Sequence, residues 1–588
     1  MDYAVIADAY EKIEATTKRL EMTALLVDLL KKTPKNVIAK VVYLTQGKIY
    51  PDFVGLEIGV AEKLAIKALA KASGRKDAEL LQLLATIGDI GEVAEEVMKK
   101  NKQTTFGAQK TLQALEVYET LDKVANKTGS GAVGSKMALL AGLLSHASPK
   151  EAKYIMRTVT GKLRLGIADM TVLDALAIAY GGGKESRELI ERAYNISSDL
   201  GRVANVVAEK GLAGIEKFKV VVFEPIRPML AERLSSPEEI LEKLGGKCVA
   251  EYKYDGERVQ AHKKGNEVAL YSRRMERISD QYPDAVELVR ENVNAEEAIL
   301  EAECVAVDVE TGELLPFQEL MHRRRKYGVK EAMEQYPVSL FMFDALYVDG
   351  RDLTFAAYPS RRTLLEKAIK ENDRVKAAKQ MKTGSIKEIE AFFEEAIEDG
   401  CEGLICKSVG ADSVYQAGAR GWMWIKYKRD YKSEMTDTVD LVVVGAFHGR
   451  GKRAGAYGAL LLAAYNKETD TFETVTKLGT GFTDDDLKKL PELLREHVVP
   501  RKPSRVQSTL AADVWFEPKV VLEVLGAEIT LSPIHVCAMD SIRKGSGLAI
   551  RFPRFTGKYR TDKAAEDATA SAEVVEMYRN QLKQIGAT

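Results

Sequence analysis

The sequence predicts a multidomain α+β protein, with an all-α N-terminal part, a mixed α+β middle and a small β-barrel near the end. Three observations carry this. The chain has 588 residues and 46% apolar composition, too much for one core. Its first third sets Ala, Leu, Lys and Glu at helical spacing, whereas later stretches are β-branched and aromatic runs broken by Gly and Pro. The composition also changes twice, at FKVVVFEPIRPML (Phe218 to Leu230) and again from Asp437. The expected domains are 1–217, 218–432 and 433–588.

EVAEEVMKK and VLDALAIAY are typical of the helical part. Pro225 and Pro228 break that pattern and mark the first boundary. CVAEYKY, EVALYSR, AILEAECVAVD, SLFMFDALYV, GLICKSV and WMWIKYK then read as strands among helical segments. From Asp437 strands flank a Gly-rich basic turn and run to Tyr559, as a barrel of the OB type would require. The tail AAEDATASAEVVEMYRNQLKQ reads as one amphipathic helix.

The 86 basic and 87 acidic side chains leave no global field toward nucleic acid or membrane, so any such partner must be met by local clusters. Five cysteines without a CxxC pair argue against structural zinc and against a disulfide framework. With no apolar run long enough to span a bilayer, a soluble cytoplasmic protein, expected to be a monomer, is the reading.

AEYKYDGERVQAH (Ala250 to His262) carries the chemistry. As a strand it puts Glu251, Lys253 and Asp255 on one face and Tyr252 and Tyr254 on the other. That row is either a surface ladder of charge or the seat of a lysine nucleophile. The second needs the neutral amine of a group that ordinarily titrates near about 10.4, so it calls for cationic neighbours. WMWIKYKRDY offers them, with Lys426 and Lys428 on one face and Trp424 in register.

KYDGER, EAECVAVD, FMFDALYVDG, EGLICK, WIKYKRDY and RTDK, in this order, resemble the nucleotidyltransferase motifs of ATP-dependent DNA ligases of the archaeal and eukaryotic replicative type. The resemblance implies a helical DNA-binding domain, an adenylation domain and an OB domain. Lys253 would take AMP from ATP, with Glu251 reading the adenine amino group and Phe343 stacked on the ring. Arg258 and Arg273 would meet ribose and phosphate. Glu303 would meet ribose or metal, and Glu402 the metal. Arg420, Lys426 and Lys428 would lie along the phosphates. Arg560 and Lys563 of RTDK would close over ATP and orient pyrophosphate, with a hinge at 430–437. Oxygen ligands without a Cys or His cluster favour Mg²⁺. The six histidines, far apart in sequence, are read as surface or packing residues.

GSGAVG (Gly129 to Gly134) satisfies GxGxxG but follows a helical segment, so it is read as a loop able to meet phosphates or as a plain connection. GKLRLGIADMTVLDALA (Gly161 to Ala177) resembles the ligases' DNA-binding signature, with Lys162 and Arg164 facing nicked duplex DNA. Further phosphate-binding candidates are Arg323 to Lys326, Arg450 with Lys452 and Arg453, and the basic residues from Arg551 to Lys563. Gln103 and Phe106 in KQTTFG resemble part of a sliding-clamp peptide that lacks its second aromatic. RNA ligases and capping guanylyltransferases share the lysine motif, and a silent DNA-binding scaffold is the alternative of another class. The absent cysteine set disfavours the NAD-dependent ligases.

Overall fold

The computed structural model describes residues 1–588 except 102–110, 308–313, 316, 324–327, 429–437, 450–455, 527, 533, 552 and 587–588. The chain forms two compact units, Met1–Ala72 with Thr104–Arg429, and Ser73–Gln103 with Asp430–Thr588. No helix among the described residues is long and apolar enough to cross a membrane.

The first unit begins with helices, among them Tyr3–Glu14, Arg19–Lys32, Pro149–Val159 and Leu200–Ile215. Tyr3, Ile6, Tyr10 and Ile13 bury one face of the first, as the helical spacing requires. Pro149 and a Ser148–Glu151 capping box start Pro149–Val159 by satisfying orphan N–H groups.

Two sheets follow in the same unit. One has the strand order Leu230–Arg233, Arg420–Lys428, Gly403–Lys407, Cys248–Lys253, Gln380–Thr383. The other runs Glu267–Ser272, Glu257–Lys264, Glu297–Ala306, Val338–Val348, Arg351–Asp352, with Val375–Ala377 beside Val338–Val348. The Asp255–Gly256 break carries the chain from the first sheet to the second. Only glycine fits there, because a Cβ on Gly256 would lie 2.3 Å from the Cys304 carbonyl oxygen.

The second unit is β-rich. Its main sheet orders Val498–Val499, Val514–Phe516, Val439–His448, Tyr457–Asn466, Thr471–Leu478 and Val506–Gln507, and Val521–Leu525 joins Val439–His448 to Arg554–Tyr559. The tail helix starts later than expected, at Ser571. The residues ahead of it form a short 3₁₀ turn at Ala565–Asp567, and Thr569 is tied to Asp440, its N–H donating to the Asp440 carbonyl and its hydroxyl oxygen accepting from Asp440 N–H. GSGAVG also departs from a pure loop: Gly129 and Gly131 take left-handed φ values of 81° and 80°, and a helix begins at Ala132.

Candidate active site

Strand register assembles the site. Gly403 pairs with both Lys253 and Lys428, Ile405 with both Glu251 and Lys426, and Lys407 with both Val249 and Trp424. Because side chains alternate, one face of this sheet carries Glu251, Lys253, Lys407, Trp424, Lys426 and Lys428. The other face packs Cys248, Ala250, Tyr252, Cys406 and Ile425 into an apolar core. Gly403, at φ 137°, leaves the space between the two lysines open, and a Cβ there would meet the Tyr427 carbonyl oxygen at 2.4 Å.

Lys253 Nζ lies 2.8 Å from Glu402 Oε2, and Lys428 binds the same oxygen. The nearest charged partner of the lysine is therefore an acid, and the expected cations stand around it. Burial and the neighbouring charges of Arg420, Lys428, Lys253 and Arg233 lower the Lys426 amine. Burial alone would raise Glu402, but Lys253 and Lys428 hold it down at about 2. Burial raises Glu303 to about 7 and, together with the Glu402 charge, raises Asp255 to about 6. Among the described residues no three His, Cys, Asp or Glu side chains by themselves form a metal cage. The three mutually repelling carboxyls are all-oxygen donors, which suits a hard cation that keeps water or phosphate in most of its shell.

Glu251 is 2% exposed. Its Oε1 accepts from Lys407 at 2.6 Å and its Oε2 from Arg362 at 3.2 Å and Tyr358 Oη at 3.1 Å. Burial raises this carboxyl and lowers the Lys407 amine, each opposed by the partner's charge. Lys407 also donates to the Phe343 carbonyl and lies over the rings of Phe343, Tyr358 and Trp424. Phe343 meets Trp424 edge-on at 6.1 Å. Arg258 sits over both rings and binds Glu301 through two nitrogens, at 2.7 and 3.2 Å, and the Met229 carbonyl at 2.7 Å. Arg273 is exposed beside Arg258 and Glu301, where all three line one small cavity. Arg420 donates to the Ala231 carbonyl.

Sequence reasoning missed Lys407, Arg362, Tyr358, Glu301 and Arg233. Glu301 stands inside EAECVAVD, two residues from Glu303 on one strand, where alternation could have found it; Lys407 ends EGLICK, but its meeting with Glu251 depends on the pairing of two strands distant in the chain. Arg362 and Tyr358 come from the helix Tyr358–Ala368, which carries no motif.

Arg560 and Lys563 belong to the second unit, where both bind Asp440. Lys162 is bound to Glu62 at 2.7 Å. Leu163 and Leu165 are buried, so Lys162 and Arg164 fall on the outward alternation, Arg164 in the left-handed region at φ 57°. Arg323 is no phosphate contact: it is fully buried, bound to Asp284 and to the Tyr336 carbonyl, with Tyr282 beneath it. Gln103, Phe106, Arg324 to Lys326, Arg450, Lys452, Arg453 and the hinge at 430–437 lie outside the described residues.

Residues 2–177 match the family described as DNA ligase N terminus, 228–428 that of the ATP dependent DNA ligase domain, and 453–563 that of the ATP dependent DNA ligase C terminal region. The chain is 57% identical to DNA ligase 2 of Thermofilum pendens (99% of this chain, 98% of that one) and 52% identical to the DNA ligase of Staphylothermus marinus (100% of each). The solved structure described as Pmar-Lig_Pre shares the fold at 15% identity and a TM-score of 0.52, covering 95% of this chain and 99% of its own.

Proposed function

The chain belongs to the ATP-dependent DNA ligase family and seals nicks in duplex DNA through a lysyl-AMP intermediate, and from that premise we propose which side chains carry each step. Lys253 is the nucleophile. Its nitrogen lone pair forms the bond to the α-phosphorus of ATP as the bond to pyrophosphate breaks. The AMP then passes to the 5′-phosphate at the nick, freeing the lysine, and the 3′-hydroxyl oxygen displaces AMP with loss of its proton.

Glu251 reads the adenine amino group and Phe343 stacks on the base. Arg258 and Arg273 hold ribose and phosphate, Glu303 meets ribose or metal, and Arg420, Lys426 and Lys428 stabilise charge along the phosphates. Glu303 and Glu402 would hold Mg²⁺, which would supply charge neutralisation on the phosphates. Arg560 and Lys563 act in the first step, and Lys162 and Arg164 contact the DNA backbone. The reading includes functional domains at 1–217, 218–432 and 433–588, an OB-type barrel, a cytoplasmic monomer, and a sliding-clamp contact through Gln103 and Phe106.

One observation supports this reading above the rest: a single sheet face holds Glu251, Lys253, Lys426 and Lys428, with Glu402 between two of the lysines. Incubation with α-labelled ATP and Mg²⁺, followed by a denaturing gel, tests it. Label stays on the wild-type chain and is absent from Lys253→Ala; a labelled variant refutes the assignment.

A further inference from the structure

Asp440 lies in Val439–His448 directly opposite Glu523 in Val521–Leu525. Two carboxylates facing each other across an antiparallel pair repel, and neither is open to water, with about 8% of each residue exposed. Such a pair persists only where cations hold it. Three come from one short stretch, Lys558, Arg560 and Lys563. Asp440 Oδ2 accepts from Arg560 Nη1 and from Lys563 Nζ, both at 2.7 Å. Glu523 takes Lys558 at 3.2 Å and lies 4.0 Å from Arg560.

The backbone fastens both sides of this contact. Arg560 N donates to the Val521 carbonyl, Lys563 N to the Arg560 carbonyl, and Thr569 Oγ1 accepts from Asp440 N. Asp562 takes the other edge of the Arg560 guanidinium through two bonds, at 2.9 and 2.8 Å. Asp440 is thus the one side chain that touches both Arg560 and Lys563 in these contacts. Its second oxygen, Oδ1, is buried without a hydrogen-bond partner among the described residues. A buried acceptor left unbonded is costly. Packing this acid into the sheet has a use if it fixes the spacing of the two cations.

We propose that Asp440 is a positioning residue for enzyme adenylation, holding Arg560 and Lys563 as one preset pair of cations for the departing pyrophosphate. This rests on the reading that Arg560 and Lys563 act in the first step. A preset pair spares the ordering of two long side chains when the triphosphate arrives. Asp440 touches neither ATP nor DNA; it acts through the two cations.

The test separates the steps in the full-length protein. Lysyl-AMP formation from ATP is measured against sealing of chemically pre-adenylated nicked DNA, for wild type, Asp440→Asn, Arg560→Ala and the double variant. Asp440→Asn keeps the shape and removes the charge. It is expected to slow lysyl-AMP formation about ten- to a hundred-fold at saturating ATP, with sealing of pre-adenylated DNA slowed several-fold less. Added to Arg560→Ala, it should slow adenylation less than it does alone, because one of the two cations it positions is gone.

Equal slowing of both steps by Asp440→Asn, as a purely structural role would give, overturns the proposal. Full multiplication of the two defects in the double variant overturns it as well. If Arg560→Ala leaves adenylation intact, the underlying reading of the RTDK residues fails instead. If Arg560→Ala slows adenylation and Asp440→Asn does not, only the role of Asp440 falls.

Discussion

Two groups of charges in this protein are built to opposite plans. In the first unit Glu251, Lys407 and Arg362 have side chains 3%, 1% and 9% exposed, and aromatic rings close over them. In the second unit the side chains of the acids Asp440 and Glu523 are each 10% exposed, and their cations reach outward: Arg560, Lys563 and Lys558 are 23%, 31% and 70% exposed. A buried pair cannot exchange partners without leaving a desolvated charge, so the first group is a fixed frame. Half-exposed cations give up a carboxylate for a phosphate at much lower cost, since water screens both states. On the proposed reading, the frame suits a base pocket that must keep one shape, and the outward cations suit phosphates that come and go.

The comparison breaks most decisively at Lys407. Lys407→Met strips the cation from Glu251 Oε1, leaving the buried carboxylate only Arg362 and Tyr358 on its other oxygen, and should lower unfolding stability by about 3 kcal/mol. Denaturant melts check this, and the double variant Lys407→Met with Glu251→Leu should recover much of the loss while remaining inactive. A small effect of Lys407→Met would mean that the pocket is wetter than the fold implies.

A second probe is pH. His262 is buried, with Nδ1 accepting from Phe223 N–H and Nε2 bonded to Gln260 Oε1, and burial pushes it down to about 3. The unfolded chain binds this proton near about 6.5 and the folded chain does not, so the contribution to stability is present above that value. It is lost as pH falls toward about 3, at no more than about 1.4 kcal/mol per unit. Stability curves of wild type and His262→Gln between pH 7 and 4 should therefore differ in slope, the variant being the shallower. Parallel curves would show that the imidazole gains its charge without unfolding.

The smallest effect is expected at the outward end. Lys558→Ala removes an ion pair whose lysine is mostly in water, and it should change stability by less than about 1 kcal/mol, a difference that fades with added salt. A larger loss, insensitive to salt, would place this cluster with the buried frame.

Much of the site was legible along the chain because a strand states its own faces: Glu251 with Lys253, and Lys426 with Lys428, follow from alternation alone. Cys248–Lys253, Gly403–Lys407 and Arg420–Lys428 stand where their β-rich runs predicted. The tail helix was over-extended because amphipathic spacing cannot register that Thr569 is bonded to Asp440. Arg323 likewise shared a basic run with its neighbours, and only burial distinguishes it from a surface charge.

By itself, then, the sequence determined the family, the helical and β-rich parts, and which side chains share a strand face, since these depend on local spacing and on motifs in order. Only the tertiary structure decided that Glu402 bridges Lys253 and Lys428, that Lys407 and Arg362 meet Glu251, and that Asp440 meets Arg560 and Lys563. Each of these pairings joins residues distant in the chain. Their energies come from charges brought together out of water, a condition that exists only once the strands have paired and the core has closed.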